Sequence, residues 1–405
     1  MSAKPLRILA MDGGGSLSLL SLFMLERIQQ ERPDFLSNID LFSGTSSGGI
    51  NSLLIAGSEP RHVGLHQAIY LWRDGQVFSG PMLNKVRALG GCSAFFTNTA
   101  LADYLRTILG KRTLGDIKAG LVIPAFDVNG QLLGQETWKP KIFHNFGGNE
   151  EPDTELEAVE VALRTSAAPV FFPIYNRFAD GGLAANNPTM CALAQALATP
   201  PKGCGRTPAD IQLLSVGTGW DQSFLGVDNA NWGYQQWLLS PCKPLALVQA
   251  FFEGTSMVAT FQARTLLERQ FFRLNPLINK SFNINDMFQD AGDPGFDDKV
   301  KLLKEVAEKP DLNMPVMAGD PEPRGEGEGS EELWLQAVLF WLDAMGWTEP
   351  PGGGRKQGGS PPPSGKPPLA QLPVAQPAAA SAAKAAPAAK PRRRAKKAPA
   401  GGGSD

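Results

Sequence analysis

The sequence predicts an α/β fold, a three-layer sandwich with a largely parallel central sheet and helices on both faces. Short apolar runs alternate with helical stretches from Leu6 to Asn275, and strands separated by helices pair in parallel beneath helical cover. Two of these runs end in glycine-rich turns that open a helix, Asp12-Gly13-Gly14-Gly15 and Gly44-Thr45-Ser46-Ser47-Gly48. Such turns belong beyond the carboxyl ends of parallel strands, where ligands of these sheets bind. At 405 residues, 42% hydrophobic and 19% charged, the chain has ample material for a large core.

The first strand, Leu6–Met11, stops at Asp12-Gly13-Gly14-Gly15. Three glycines let the backbone approach a ligand with its N–H groups turned outward, as an oxyanion or a phosphate requires. Taken alone, the same residues also describe a plain tight turn, and the Gly-x-Gly-x-x-Gly spacing of a dinucleotide site is absent. An apolar helix follows from about Ser16 to Gln30. The second strand, Ile39–Ser43, runs into Gly44-x-Ser46-x-Gly48 and another apolar helix. Glycines two before and two after a serine allow the sharp strand-to-helix corner of a nucleophile elbow, which leaves Ser46 Oγ exposed. Unpaired N–H groups of the following helix favour negative charge developing there.

From Glu59 to Gly115 the pattern is less regular, with helical pieces at Gly64–Trp72 and Ala100–Leu109. Phe78, Met82, Leu83, Phe95 and Phe96 lie between them, as a lid over a site or as a cap on the core. Strands recur at Leu121–Asp127, Lys141–Phe146 and Ile211–Val216, with a helix over Glu155–Arg164. Asp180 ends the run Phe178-Ala179 and enters Gly181-Gly182. By itself Asp-Gly-Gly is a turn with a helix-capping carboxylate. A late strand spans Gln270–Asn275 and a charged helix Asp297–Lys309.

The histidines give Asp180 its weight. A serine hydroxyl needs a base within hydrogen-bond reach, and the chain holds only His62, His66 and His144, none after Asp180. The Ser…Asp…His order of α/β-hydrolases is therefore unavailable. His62 and His66 stand four apart on one helix face, but no third metal ligand accompanies them, and they read as ordinary surface or core histidines. A carboxylate remains as the base, with its basicity raised by burial. Cys92, Cys191, Cys204 and Cys242 are too scattered for a zinc site or a disulfide framework. No metal and no cofactor is expected.

Asp12-Gly13-Gly14-Gly15, Gly44-Thr45-Ser46-Ser47-Gly48-Gly49, Thr165-Ser166-Ala167-Ala168-Pro169, and Asp180-Gly181-Gly182-Leu183 with Asn186-Asn187-Pro188 resemble, in order, the blocks of patatin-like phospholipases. Leu214–Gly219 resembles the strand that follows them in that family, and the similarity covers about Pro5 to Asn275. The resemblance implies a metal-independent lipid acyl hydrolase. Ser46 would be its nucleophile, Asp180 its base, and the N–H groups of Gly13, Gly14 and Gly15 its oxyanion hole. Family members follow the third glycine with any residue, then Arg or Lys, then Gly, whereas Ser16, Leu17 and Ser18 stand here. Ester hydrolysis is thus implied more firmly than any phospholipid head group. The same dyad would also serve a thioesterase or an acyltransferase, and a non-catalytic lipid- or nucleic-acid-binding protein is the alternative of another class. Some bacterial members of the family are toxins that need an activator, and no residue here identifies one.

Four segments follow: a patatin-like catalytic domain over 1–318, an acidic glycine-rich linker over 319–330, an apolar helix over 331–349, and a disordered tail of Pro, Ala, Gly and Lys over 350–405. From Pro351 onward there are ten Lys or Arg and one acid, so the formal net charge of −2 divides into +9 on the tail and −11 on the body. The cluster Lys390–Lys397 would attract anionic membrane or nucleic acid. The helix around Leu333–Leu342 would dock on the body or lie in a lipid interface. Met1–Met11 lacks the pattern of a signal peptide, and no apolar run reaches the roughly 18 residues of a membrane span. The expected location is cytoplasmic, with peripheral membrane contact and a lipid substrate at the membrane surface.

Overall fold

The computed structural model describes residues 4–75, 77–80, 92–147, 153–220, 231–240, 245–278, 284–309 and 333–348. Among them seven strands form one sheet: β1 (Leu6–Met11), β2 (Leu41–Gly44), β3 (Gly120–Leu132), β4 (Gln135–His144), β5 (Phe178–Ala179), β6 (Ile211–Val216) and β7 (Phe271–Leu274). Their order is β4-β3-β2-β1-β6-β7, with β5 paired beside β3. The pairs β1–β2, β1–β6, β2–β3 and β6–β7 are parallel.

Antiparallel pairing is confined to β4 and β5, both on β3. β3 and β4 form one hairpin, longer than the two separate strands that the sequence predicts. Leu133 (φ 51°) and Gly134 (φ 77°) turn it, and two consecutive positive φ values suit the twist of a two-residue hairpin loop. Leu133 is an unusual residue for that position and lacks the Asn-Gly signature by which such loops are recognised.

Alternate side chains of each strand point to opposite faces, and each face has its own helical layer. Leu9, Met11, Phe42, Ile123 and Leu214 pack with helices α1 (Ser18–Glu31), α2 (Ser47–Gly57), α3 (Arg61–Arg73), α4 (Thr99–Leu109) and α5 (Ala158–Thr165). Ile8, Ala10, Leu41, Val122 and Leu213 pack instead with Ala192, Leu193 and Ala196 of α6 (Thr189–Leu197) and with Ala263 and Leu267 of α7 (Ala246–Leu267). The result is the three-layer arrangement.

Two further helices, α8 (Phe296–Glu308) and α9 (Leu333–Ala344), complete the first layer. The apolar helix α9 docks: Trp334, Val338 and Leu342 are buried, and Trp341 Nε1 donates to the Arg269 carbonyl at 2.8 Å. Arg32 holds the helix end through a two-pronged pair with Asp343 at 3.0 and 2.7 Å, the fixed geometry for which a guanidinium is suited. No helix of the described residues is long and apolar enough to cross a membrane. Met82, Leu83, Cys242, the acidic linker and the basic tail lie outside the described residues. Phe78, Phe96, Phe172 and Phe288 meet in one aromatic cluster with centroid spacings of 5.5 to 6.5 Å, so Phe78 and Phe96 belong to a packed wall.

Candidate active site

The register of the sheet brings the two glycine turns together. Met11 at the end of β1 lies opposite Gly44 at the end of β2, so the turns Asp12–Gly15 and Thr45–Gly48 leave the sheet side by side. Thr45 N–H donates to the Met11 carbonyl at 3.2 Å. Ser46 occupies the corner with φ 52° and ψ −123°, a conformation an L-residue adopts only under constraint. Gly44 and Gly48 make that corner possible. A side chain on Gly44 would strike the Gly48 carbonyl, and one on Gly48 would strike the Met11 carbonyl.

Asp180 reaches the same point from the other end of the catalytic segment. Strand β5 pairs with β3, itself the neighbour of β2, and Asp180 is the next residue along. Its N–H donates to the Ala167 carbonyl at 2.9 Å, and Gly181 N–H donates to the Thr165 carbonyl at 2.9 Å. Ser46 Oγ donates to Asp180 Oδ2 at 2.6 Å, and Gly182 N–H donates to Asp180 Oδ1 at 2.7 Å. The carboxyl is buried, 4% exposed, and burial pushes it up to about 6 against the lowering pull of the Ser46 hydroxyl and Gly182 N–H. A base with that affinity can hold a proton transiently near neutral pH.

The three glycines of the first turn are not equivalent. Gly13 N–H donates to the Asn186 carbonyl at 3.1 Å and Gly14 N–H to Ser47 Oγ at 3.1 Å. Gly15 N–H has no acceptor among the described residues. All three line, with Ser46 and Asp180, a cavity of about 210 Å³. Leu17, Val170, Phe171, Val248, Phe252 and Phe288 supply much of its apolar wall.

Taken together, a half-buried hydroxyl at a strained corner lining the cavity, a buried carboxylate bonded to it, a glycine loop beside both and an apolar wall are the means for acyl transfer. A family model described as patatin-like phospholipase matches residues 9–193. Protein teg of Priestia megaterium is 32% identical over 301 residues, covering 67% of this chain and 88% of that one. The chain belongs to the patatin-like phospholipase family. The patatin-like match contains Ser46, Asp180 and the glycines Gly13, Gly14, Gly15, Gly44, Gly48, Gly49, Gly181 and Gly182. The cGAMP-activated phospholipase of Vibrio cholerae is 30% identical over 235 residues, 52% of this chain and 64% of its own. The crystal structure of VipD from Legionella pneumophila aligns over 75% of this chain and 67% of that one, at 13% identity and a TM-score of 0.34.

The sequence assigns no role to three supporting residues of the patatin-like site, two of which, Thr45 and Thr165, stand inside its motifs. Thr165, fully buried, accepts the Ser46 N–H at 3.0 Å and donates to the Pro124 carbonyl at 2.6 Å. Arg273 on β7 grips Asp12 with two bonds of 2.9 and 2.5 Å and donates to Ser215 Oγ at 2.7 Å. That pair anchors the start of the glycine loop. A lone arginine inside the apolar strand Phe271–Leu274 was the available signal for it, since a charge there demands a buried partner. Thr45 Oγ1 donates to the Ala185 carbonyl at 2.6 Å, tying the elbow to the turn after Asp180. The histidines stay apart from this chemistry: none lines the cavity, and His62 and His66 face each other on α3 at 6.1 Å with His66 beside Glu26.

Proposed function

We propose that the protein is a lipid acyl hydrolase of phospholipase A or lysophospholipase type, using Ser46 and Asp180 as its dyad. The 2.6 Å bond between the two side chains carries this reading. Asp180 takes the hydroxyl proton as Ser46 Oγ attacks an ester carbonyl, and the oxyanion of the tetrahedral intermediate accepts the Gly15 N–H. As the intermediate collapses, the ester C–O bond breaks and the leaving alkoxide receives the proton from Asp180. A water molecule then attacks the acyl-enzyme, Asp180 takes its proton, and the carboxylic acid departs as that proton returns to Ser46 Oγ.

The apolar wall of the cavity favours a fatty acyl chain over a polar acyl group. Comparison of lipid extracts treated with wild type and with Ser46→Ala tests the assignment. Release of fatty acid and of a deacylated lipid by the wild type alone is expected, and identical extracts would remove the reading.

A further inference from the structure

Lys299 on α8 is fully buried, 1% exposed, a placement lysine almost never takes without partners. Its Nζ donates to Ser16 Oγ at 2.8 Å and to the Asp286 carbonyl at 2.8 Å. Ser16 Oγ in turn donates to the Met287 carbonyl at 3.1 Å. The ammonium therefore joins the residue after the third loop glycine to the 3₁₀ turn Ile284–Phe288. That turn presses directly on the loop: Gly15 has φ 57°, and a side chain there would strike the Met287 carbonyl. Met287 and Phe288 also line the cavity beside Gly15 and Ser46.

We propose that Lys299 is the positioning residue of the oxyanion loop. It grips Ser16 so that Gly15 N–H stays directed at the carbonyl oxygen attacked by Ser46, and it touches no substrate. This inference rests on the nucleophilic role of Ser46. Leu17 offers no cation from within the loop, and the charge reaches the loop from α8, more than 280 positions further along the chain.

The position on the charged helix Asp297–Lys309 hid this contact, because Lys299 stands there among Asp297, Asp298, Lys301 and Lys304 as if on a solvated face. A lysine serving only the fold would change stability when replaced and leave turnover per folded molecule alone. A positioning lysine changes turnover without changing substrate affinity.

The test measures hydrolysis of a p-nitrophenyl ester, and the rate of Ser46 labelling by a fluorophosphonate, in the full chain and in Lys299→Met and Ser16→Ala. Lys299→Met is expected to lower kcat about 10- to 100-fold, part of the 10²- to 10³-fold loss that follows removal of an oxyanion donor. KM should stay within about two-fold, and labelling should slow in step with kcat. Ser16→Ala, which leaves the lysine its carbonyl partner, should lower kcat about 5- to 10-fold, and it decides the matter if Lys299→Met does not fold. Wild-type kcat and labelling rate in both folded variants would overturn the proposal while leaving the dyad intact. Absence of any label on wild-type Ser46 would overturn the dyad and this inference together.

Discussion

The hydroxyl of Thr165 stands between the Ser46 backbone and the sheet, accepting the Ser46 N–H at 3.0 Å and donating to the Pro124 carbonyl at 2.6 Å. One buried side chain thereby satisfies two backbone groups and fixes the strained corner on which Ser46 sits. Thr165→Val keeps the shape and leaves both groups without partners. At about 1–3 kcal/mol for an orphaned buried group, we expect a loss of about 2 kcal/mol by urea denaturation and a fall in esterase activity. Thr165→Ser, which retains both bonds, should lose about 1 kcal/mol at most. Equal stability and activity for valine and threonine would mean that the hydroxyl is dispensable.

Arg273 and Asp12 are buried together beside the cavity. Removing only the arginine strands a carboxylate in the interior, for which the usual cost is about 3–5 kcal/mol. Arg273→Met should therefore unfold at much lower denaturant than wild type. The double variant Asp12→Asn with Arg273→Met should recover part of the loss, because no charge remains unpaired. A double variant less stable than wild type by the sum of the two single-variant losses would show that the two residues are not coupled.

Asp180 links activity and stability to pH in opposite senses. In its proposed role as general base it must be ionised, so kcat/KM should fall as pH drops through about 6, the value to which burial raises it. For stability, a carboxyl whose folded value lies above its ordinary 3.8 binds more protons folded than unfolded. Its stabilising contribution is full below about 4 and is lost as pH rises through about 6. Asp180→Asn removes that penalty, so at pH 7 the variant should be more stable than wild type by on the order of 2–3 kcal/mol. Differential scanning calorimetry of both proteins at pH 4.5 and pH 7 checks the sign, and a variant less stable at both values would contradict it.

The strain at Ser46 gives a further expectation. With φ 52°, the residue adopts a conformation that glycine accepts without penalty, and relief of such strain is worth about 1–3 kcal/mol before the entropic cost of glycine. Ser46→Gly should be about 1 kcal/mol more stable than Ser46→Ala, which loses the same bond to Asp180, while both lose all hydrolysis. A glycine variant no more stable than the alanine one would show that the corner is relaxed.

The sequence made the sheet and the corner at Ser46 legible because apolar runs and paired glycines are local signals: β1, β2 and β6 begin and end within two residues of the expected runs. Asp180 was legible by exclusion, from three histidines in the wrong order. The β3–β4 hairpin was not, because Leu133-Gly134 lacks the usual turn residues. Nor were the partners of the loop, since the pairs Asp12–Arg273 and Ser16–Lys299 join residues 261 and 283 positions apart. No pattern within either segment announces its partner, and only the packing of β7 and α8 against the loop creates the contact.

We propose that the buried carboxylate of Asp180, with no imidazole, activates Ser46. Steady-state hydrolysis of an ester by Asp180→Asn at pH 7.5, with folding verified by circular dichroism, tests it most directly. We expect kcat to fall by about 10²- to 10⁴-fold, the usual contribution of a general base, in a protein that remains folded. A folded Asp180→Asn variant that turns over within about three-fold of wild type would contradict it.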